Sequence, residues 1–171
     1  SVAETTEALS TFFRYSITGV DRLVTLEEEI ENVENYFTIQ HYRFEEKLKL
    51  EITYPKEEEV MRLRIPKLTI QPFVENSIKY GESEEGEVKI WIEVEKKKGI
   101  LKICIRDNGE GFEEKILESL NREQCVVREG KKRIGIYNVQ SRLSILYGEG
   151  AKIHFSNGKN GGAVVEIWLS K

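Results

Sequence analysis

The sequence predicts an α+β fold, a sandwich of strands and helices preceded by further helices. Three observations predict it. Residues up to about 45 repeat apolar side chains at helical spacing, the later residues contain two strand pairs that read as hairpins, and helices fall between the strands without the regular alternation of a doubly wound sheet.

Taken in order, Leu9, Phe12, Phe13, Ile17 and Val20 recur every three or four residues, which predicts a helix with these side chains on one face, ending near Gly19. Thr25 stands three residues before Glu28, a capping-box spacing, and Leu26, Ile30, Val33, Phe37 and Phe44 continue the stripe of a second helix over about 26–44. Lys47 to Tyr54 alternates as a strand, with Leu48, Leu50, Ile52 and Tyr54 on one face and Pro55 ending it. Pro66 suits the first turn of a helix whose apolar face is Leu68, Ile70, Phe73, Val74 and Ile78, and Pro72 places the start of its regular part. Val88–Val94 and Ile100–Arg106, joined by a turn at Lys96–Gly99, predict an antiparallel hairpin. The charged stretch from Phe112 to Lys132 reads as a loop with a short helix near Glu114–Leu120. Ile134–Tyr147 reads as a helix, and Ala151–Phe155 with Val164–Leu169 as a closing hairpin around Asn157–Gly162.

A chain of 171 residues with 39% hydrophobic and 33% charged residues can bury a core and is not disordered. Its formal net charge of -4 gives no basic face with which to displace the counterions of a nucleic acid, so no nucleic-acid partner is expected. Cys104 and Cys125 have neither metal-ligand spacing nor a disulfide framework, which points to a reducing cytosol. The apolar runs are far shorter than the roughly twenty residues that span a bilayer. The chain opens inside an amphipathic helical pattern, and it is expected to be a cytoplasmic part of a longer, membrane-anchored receptor.

Three clusters carry candidate chemistry. In Gln71-Pro72-Phe73-Val74-Glu75-Asn76-Ser77-Ile78-Lys79-Tyr80-Gly81, helical spacing puts Asn76, Lys79 and Tyr80 on neighbouring turns, where they line one side of a pocket or form a solvated face. Asp107-Asn108-Gly109-Glu110-Gly111 follows an apolar strand and reads as a hairpin turn or as an adenine seat. In the second reading the Asp107 carboxylate accepts from an exocyclic amine and would repel the carbonyl of guanine, while the glycines admit a flat ring close to the backbone. Arg133-Ile134-Gly135-Ile136-Tyr137-Asn138 opens a helix after Lys131 and Lys132, and is either a surface junction or an anion site built on free N–H groups.

In this order, with these strands between them, the clusters resemble the N, G1 and G2 boxes of the GHKL ATPase superfamily, and the likeness extends through Gly161-Gly162-Ala163-Val164-Val165-Glu166-Ile167. Within it, residues 9–17, 24–44 and 65–81 look like the LytS/YesM type of sensor histidine kinase. The resemblance implies a two-layer sandwich in which a mixed β-sheet carries helices on one face, with residues 46–171 as the ATP-binding catalytic domain and 1–45 as the helical end of the dimerisation and phosphoacceptor region. It implies ATP and Mg²⁺ as cofactors, Asn76 as the Mg²⁺ ligand, Lys79 and Tyr80 near the phosphates, Asp107 on adenine, and Gly109 and Gly111 shaping the floor. Gly135 would start the phosphate-binding helix and Asn138 support it, while Glu75 is typical of this kinase type and is placed with Asn76 and Lys79 in the catalytic group.

The implied reaction is phosphoryl transfer to an upstream histidine of the same or a partner protomer, then relay to a response regulator, with a homodimer formed by the full-length protein. His41 and His154 lack the surroundings of such an acceptor and are assigned to structure or surface, so the fragment is expected to bind nucleotide without phosphorylating itself. Three departures matter. Pro72 stands where hydrolytic relatives carry a glutamate, Arg133 replaces the first glycine of a Gly-x-Gly motif at the nucleotide phosphates, and Ala163 replaces a common threonine. A hydrolytic ATPase and a degenerate dimerisation module are the alternative functions.

Overall fold

The computed structural model of the chain describes residues 1–17, 22–80, 86–122, 127–128, 131–132 and 134–170. A long helix α1 (Val2–Ile17) packs along α2 (Leu26–Phe44), with the short strand β1 (Leu23–Thr25) between them in sequence. The chain continues through β2 (Leu48–Thr53), a single turn α3 (Glu58–Met61), β3 (Arg64–Pro66) and α4 (Gln71–Tyr80). The hairpin β4 (Val88–Lys97) and β5 (Ile100–Asp107) follows, then α5 (Glu114–Asn121), the small pair β6 (Val127–Arg128) and β7 (Lys131–Lys132), α6 (Ile134–Tyr147), and the hairpin β8 (Ala151–Asn157) and β9 (Ala163–Leu169).

The main sheet has the order β2-β4-β5-β9-β8, with β2 parallel to β4 and every other pair antiparallel, so it is mixed as expected. Strand alternation sends Val88, Ile90, Ile92 and Val94 of β4 and Leu101, Ile103 and Ile105 of β5 to one buried face. There α4 packs on β4 and β5, and α5 and α6 pack on β8. The other face is a lattice of charge and indole. Arg106 pairs with Glu93 at 2.9 Å and lies over the Trp91 ring, while Lys102 pairs with Glu166 at 3.2 Å and shares the Trp168 ring with Lys152. Helices therefore cover one face, and α2 adds Leu26, Ile30 and Val33 to the same core.

Local chemistry explains the element ends. The Thr25 hydroxyl accepts the Glu28 N–H at 3.1 Å and the Glu28 carboxylate accepts the Thr25 N–H at 2.9 Å, the capping box read from the sequence, worth about 1 kcal/mol at such a terminus. Between β4 and β5 only Lys98 and Gly99 turn the chain, both at positive φ (51° and 78°), so the strands run further than the four-residue turn predicted. The helix at 134–147 and the one beginning at Glu114 lie where the pattern placed them.

The structure differs from the sequence reading in three places. Pro66 ends strand β3, which pairs antiparallel with β1, instead of starting a helix: proline's fixed φ also suits an extended edge, and Leu68 at φ 60° interrupts any helix before Gln71. On α1 the buried side is Ala8 with Phe12, whose ring meets Tyr36 at 5.5 Å, whereas Leu9 and Phe13 are 38% and 53% exposed, because α1 packs along α2 and so buries only a narrow stripe. The expected end of this helix at Gly19 lies outside the described residues. Third, within the stretch read as a loop Val127–Arg128 pairs antiparallel with Lys131–Lys132, while the expected short helix ahead of it is docked. Asn121 exchanges hydrogen bonds with the Phe155 backbone at 2.9 Å each way, and the Gln140 amide donates to the Leu120 carbonyl at 2.9 Å.

Candidate functional site

On α4, Phe73, Asn76, Ser77 and Tyr80 fall at i, i+3, i+4 and i+7, one face of the helix, and all four line a cleft of about 100 Å³. Ile105 and Asp107 of β5 and Ala163 and Val165 of β9 form its floor, and Gly111 and Phe112 close one side. Polar and apolar groups share the walls, with Asn76, Tyr80 and Glu110 among the polar ones, and the Asp107 carboxylate stands at the bottom.

That carboxylate is held on several sides. One Asp107 oxygen, Oδ1, accepts the N–H groups of Gly109 (2.9 Å) and Ala163 (3.0 Å), and Oδ2 accepts the Ser77 hydroxyl (2.9 Å), while the residue is 9% exposed. A carboxylate offers about four acceptor positions, so three are filled by the protein and one remains for a donor entering the cleft. Asn108 excludes the hairpin-turn reading. Its side chain accepts from Lys89 N–H and donates to the Glu87 carbonyl, prolonging the contact with β4, and the strand that next pairs with β5 is β9.

Glycines make the close approaches. A Cβ on Gly162, at φ +81°, would lie 1.9 Å from the Asp107 carbonyl oxygen, so only glycine lets β9 start against the end of β5. Gly111, also at φ +81°, passes under the Asn157 amide, which accepts from Phe112 N–H at 2.8 Å and donates to the Phe112 carbonyl at 2.9 Å, fixing the chain beside the cleft.

The other sequence-predicted residues divide. Asn76 and Tyr80 line the cleft with Asp107 and Gly111, and Gly109 contributes its N–H to Asp107. Lys79 and Glu75 are exposed and stand outside its lining: the Lys79 ammonium lies over the Tyr80 ring at 5.3 Å, and Glu75 accepts from the Gln71 amide at 2.8 Å. Gly135 is in the first turn of α6 and Asn138 is exposed on that helix, away from the cleft lining. Arg133, Gly81 and Cys125 lie outside the described residues. His41 stacks on Phe37 on the surface of α2, and His154 is exposed on β8. Ser77 and Asn157 act at the site without a role assigned from the sequence, and Gly162 enters there only within the closing segment of the resemblance. The spacing of Ser77 from Phe73 is the signal for the first of them.

A larger hollow of about 270 Å³ lies between α1, β1, α2 and β3, with Tyr15, Arg22, Asn35 and Lys67 in its wall, and it contains none of the motif residues. Among the described residues no cluster of three or more His, Cys, Asp or Glu could hold a metal, and no helix is long and apolar enough to cross a membrane.

The family model described as histidine kinase-, DNA gyrase B-, and HSP90-like ATPase matches residues 62–171, more than half of the chain, and spans the entire cleft. The chain belongs to this ATPase family. A second model, histidine kinase, matches residues 1–48. Among similar proteins, the sensor histidine kinase YesM of Bacillus subtilis is 37% identical over 97% of this chain, and the sensor protein LytS of Streptococcus agalactiae is 32% identical over 94%. The chain spans about a quarter of the length of these relatives, 27% of each.

Solved structures show the same fold. The catalytic domain of histidine kinase ThkA matches with a TM-score of 0.66 at 18% identity, over 88% of this chain and 95% of that one. The histidine kinase domain of a blue-light activated kinase from Erythrobacter litoralis matches at 0.60 and 16% identity, over 98% and 78%. The chain is thus an ATPase-family domain of the LytS/YesM sensor-kinase type, and membership of this family implies ATP binding.

Proposed function

We propose that this chain is the ATP-binding catalytic part of a two-component sensor kinase, delivering the ATP γ-phosphoryl group to a histidine nitrogen on a segment upstream, in the same or a partner protomer. The bond from phosphorus to the β,γ-bridging oxygen breaks, a phosphorus–nitrogen bond forms, and ADP leaves. A response-regulator aspartate is the next acceptor, and the domain works in the cytoplasm of a membrane-anchored, homodimeric receptor. The observation that carries this reading is the cleft with Asp107 held at its floor and one acceptor position open, which suits the exocyclic amine of adenine.

In this reading Asp107 binds adenine, Ser77 and the N–H groups of Gly109 and Ala163 hold that carboxylate in place, and Gly111 keeps the floor close to the ring. Asn76, lining the same cleft, is the Mg²⁺ ligand: one amide oxygen fits an ion that keeps several waters and takes other ligands from phosphate. When bound, the ion neutralises charge on the phosphates. Tyr80 and Lys79 flank the phosphate path, Glu75 supports the transfer, and Arg133, Gly135 and Asn138 serve the phosphate end from the start of α6. Neutral imidazole is already nucleophilic, so the protein's contribution is positioning and electrostatics.

We assign residues 1–45 to the helical end of the dimerisation and phosphoacceptor region and 46–171 to the ATP-binding domain, a division of role, since α2 shares the core of the latter. The test mixes the chain with a separate segment carrying the upstream acceptor histidine, γ-labelled ATP and magnesium. Acid-labile, base-stable label on that segment is expected, with none on the chain alone. Steady phosphate release without labelled histidine would instead indicate a hydrolytic ATPase, against which Pro72 stands in the first turn of α4.

A further inference from the structure

Glu29 of α2 is 0% exposed, and its carboxylate gathers donors from two other parts of the chain. Its Oε1 accepts the Ile70 N–H at 3.0 Å, and its Oε2 accepts the Leu68 N–H at 3.2 Å and the hydroxyl of Tyr15 on α1 at 2.5 Å. The Gln71 N–H also points to it. Burial pushes this carboxyl above the usual carboxylate range, and the Tyr15 hydroxyl and the amides of Ile70, Leu68 and Gln71 draw it back.

These amides are the entry to α4. The first N–H groups of a helix have no partner within it, and here a carboxylate from a neighbouring helix caps them. The same short loop is held from its other side: Arg142 of α6 donates to the Lys67 carbonyl at 2.7 Å and to the Leu68 carbonyl at 3.0 Å. Between the two grips Leu68 sits at φ 60°, a conformation an L-residue keeps only when its surroundings impose it. The Lys67 ammonium lies 4.2 Å from the centre of the Tyr15 ring. Residues 67–70 thus join α1, α2 and α6 to the helix that carries Asn76 and Ser77 into the cleft.

We propose that Glu29 is a positioning residue for the nucleotide site, and that the Tyr15 hydroxyl bond makes the capping of α4 depend on where α1 lies. Displacing α1 removes one of the donors that hold the Glu29 carboxylate, loosens its grip on the loop, and shifts Asn76 and Ser77 relative to Asp107. Coupling of this kind is reciprocal, so nucleotide in the cleft must tighten the Tyr15–Glu29 contact. The inference rests on reading the cleft as an ATP site.

The test uses the whole chain and two variants, Tyr15→Phe, which removes one oxygen, and Glu29→Gln. Affinities for Mg-ATP are measured well below each variant's unfolding temperature. Tyr15→Phe is expected to weaken Mg-ATP binding about fivefold, the lower end of ordinary coupling, and Glu29→Gln more. In the wild type, Mg-ATP is expected to slow hydrogen exchange at the Leu68 and Ile70 amides, and in Tyr15→Phe this slowing is expected to shrink, a readout that a purely structural role would leave unchanged. Equal affinity in Tyr15→Phe and wild type, or no nucleotide effect on those amides, overturns the coupling while the ATP reading stands. A wild type that binds no nucleotide overturns both. Should Glu29→Gln fail to fold, Tyr15→Phe and the wild-type exchange decide.

Discussion

Asp107→Asn is expected to abolish measurable nucleotide binding, with a loss of about 100-fold or more. The argument is one of donors and acceptors. Asp107 faces three protein donors, the N–H groups of Gly109 and Ala163 and the hydroxyl of Ser77, and keeps one position for the ligand. An asparagine in the same place must aim its NH₂ at one of two sides. Turned toward Gly109 and Ala163 it sets donor against donor at a buried site. Turned the other way, it presents a donor to the exocyclic amine of adenine. Either choice loses hydrogen bonds to a charged group, worth about 1.5–3 kcal/mol each, and about 3 kcal/mol corresponds to the stated factor. Titration of wild type and variant with a fluorescent ATP analogue checks it, with the circular dichroism of the variant showing that the fold remains.

Gly162→Ala is expected to damage stability and binding together. The added Cβ would lie 1.9 Å from the Asp107 carbonyl oxygen and 2.8 Å from its carbon, both backbone atoms of a central strand that cannot swing aside, and φ at +81° is itself unfavourable for alanine. Separating β9 from β5 here pulls the Ala163 N–H off the Asp107 carboxylate. A cost of about 3 kcal/mol is the scale of such backbone conflicts, which for a chain of this size lowers Tm by roughly 6–12 °C. Gly161→Ala is the control: its Cβ would come no nearer than 3.9 Å to the Gly109 carbonyl oxygen, leaving only the strain of φ +91°. Thermal melts of the two variants, with nucleotide titration of each, separate steric conflict from glycine flexibility.

What was legible in the sequence was what depends on neighbours within a turn or a strand. The Thr25–Glu28 box, the alternation of β4 and the start of α6 at Ile134 are local patterns, and the structure repeats them. Asp107 after an apolar strand was legible as a candidate because strand ends and glycines have local signatures. Strands β1 and β3 have three residues each, too few to show a period, and Pro66 is compatible with both a helix start and an edge strand. The direction in which Leu9 and Phe13 point depends on α1 packing along α2, which periodicity does not encode. Ser77 meets Asp107 across 30 residues, Ala163 meets it across 56, and Glu29 meets Ile70 across 41, so their roles exist only once the chain has closed on itself. Lys79 was placed by helical spacing and Asn138 by resemblance, and both are exposed on their helices, outside the cleft lining.

The central claim is that the cleft reads an adenine ring through Asp107. Competition between ATP and GTP for the wild-type chain, in magnesium, tests it most directly. GTP carries the same phosphates but turns a carbonyl oxygen toward the carboxylate, so the account predicts that ATP binds and that GTP competes about 100-fold more weakly. Equal competition by the two nucleotides, or binding that survives in Asp107→Asn, would contradict it.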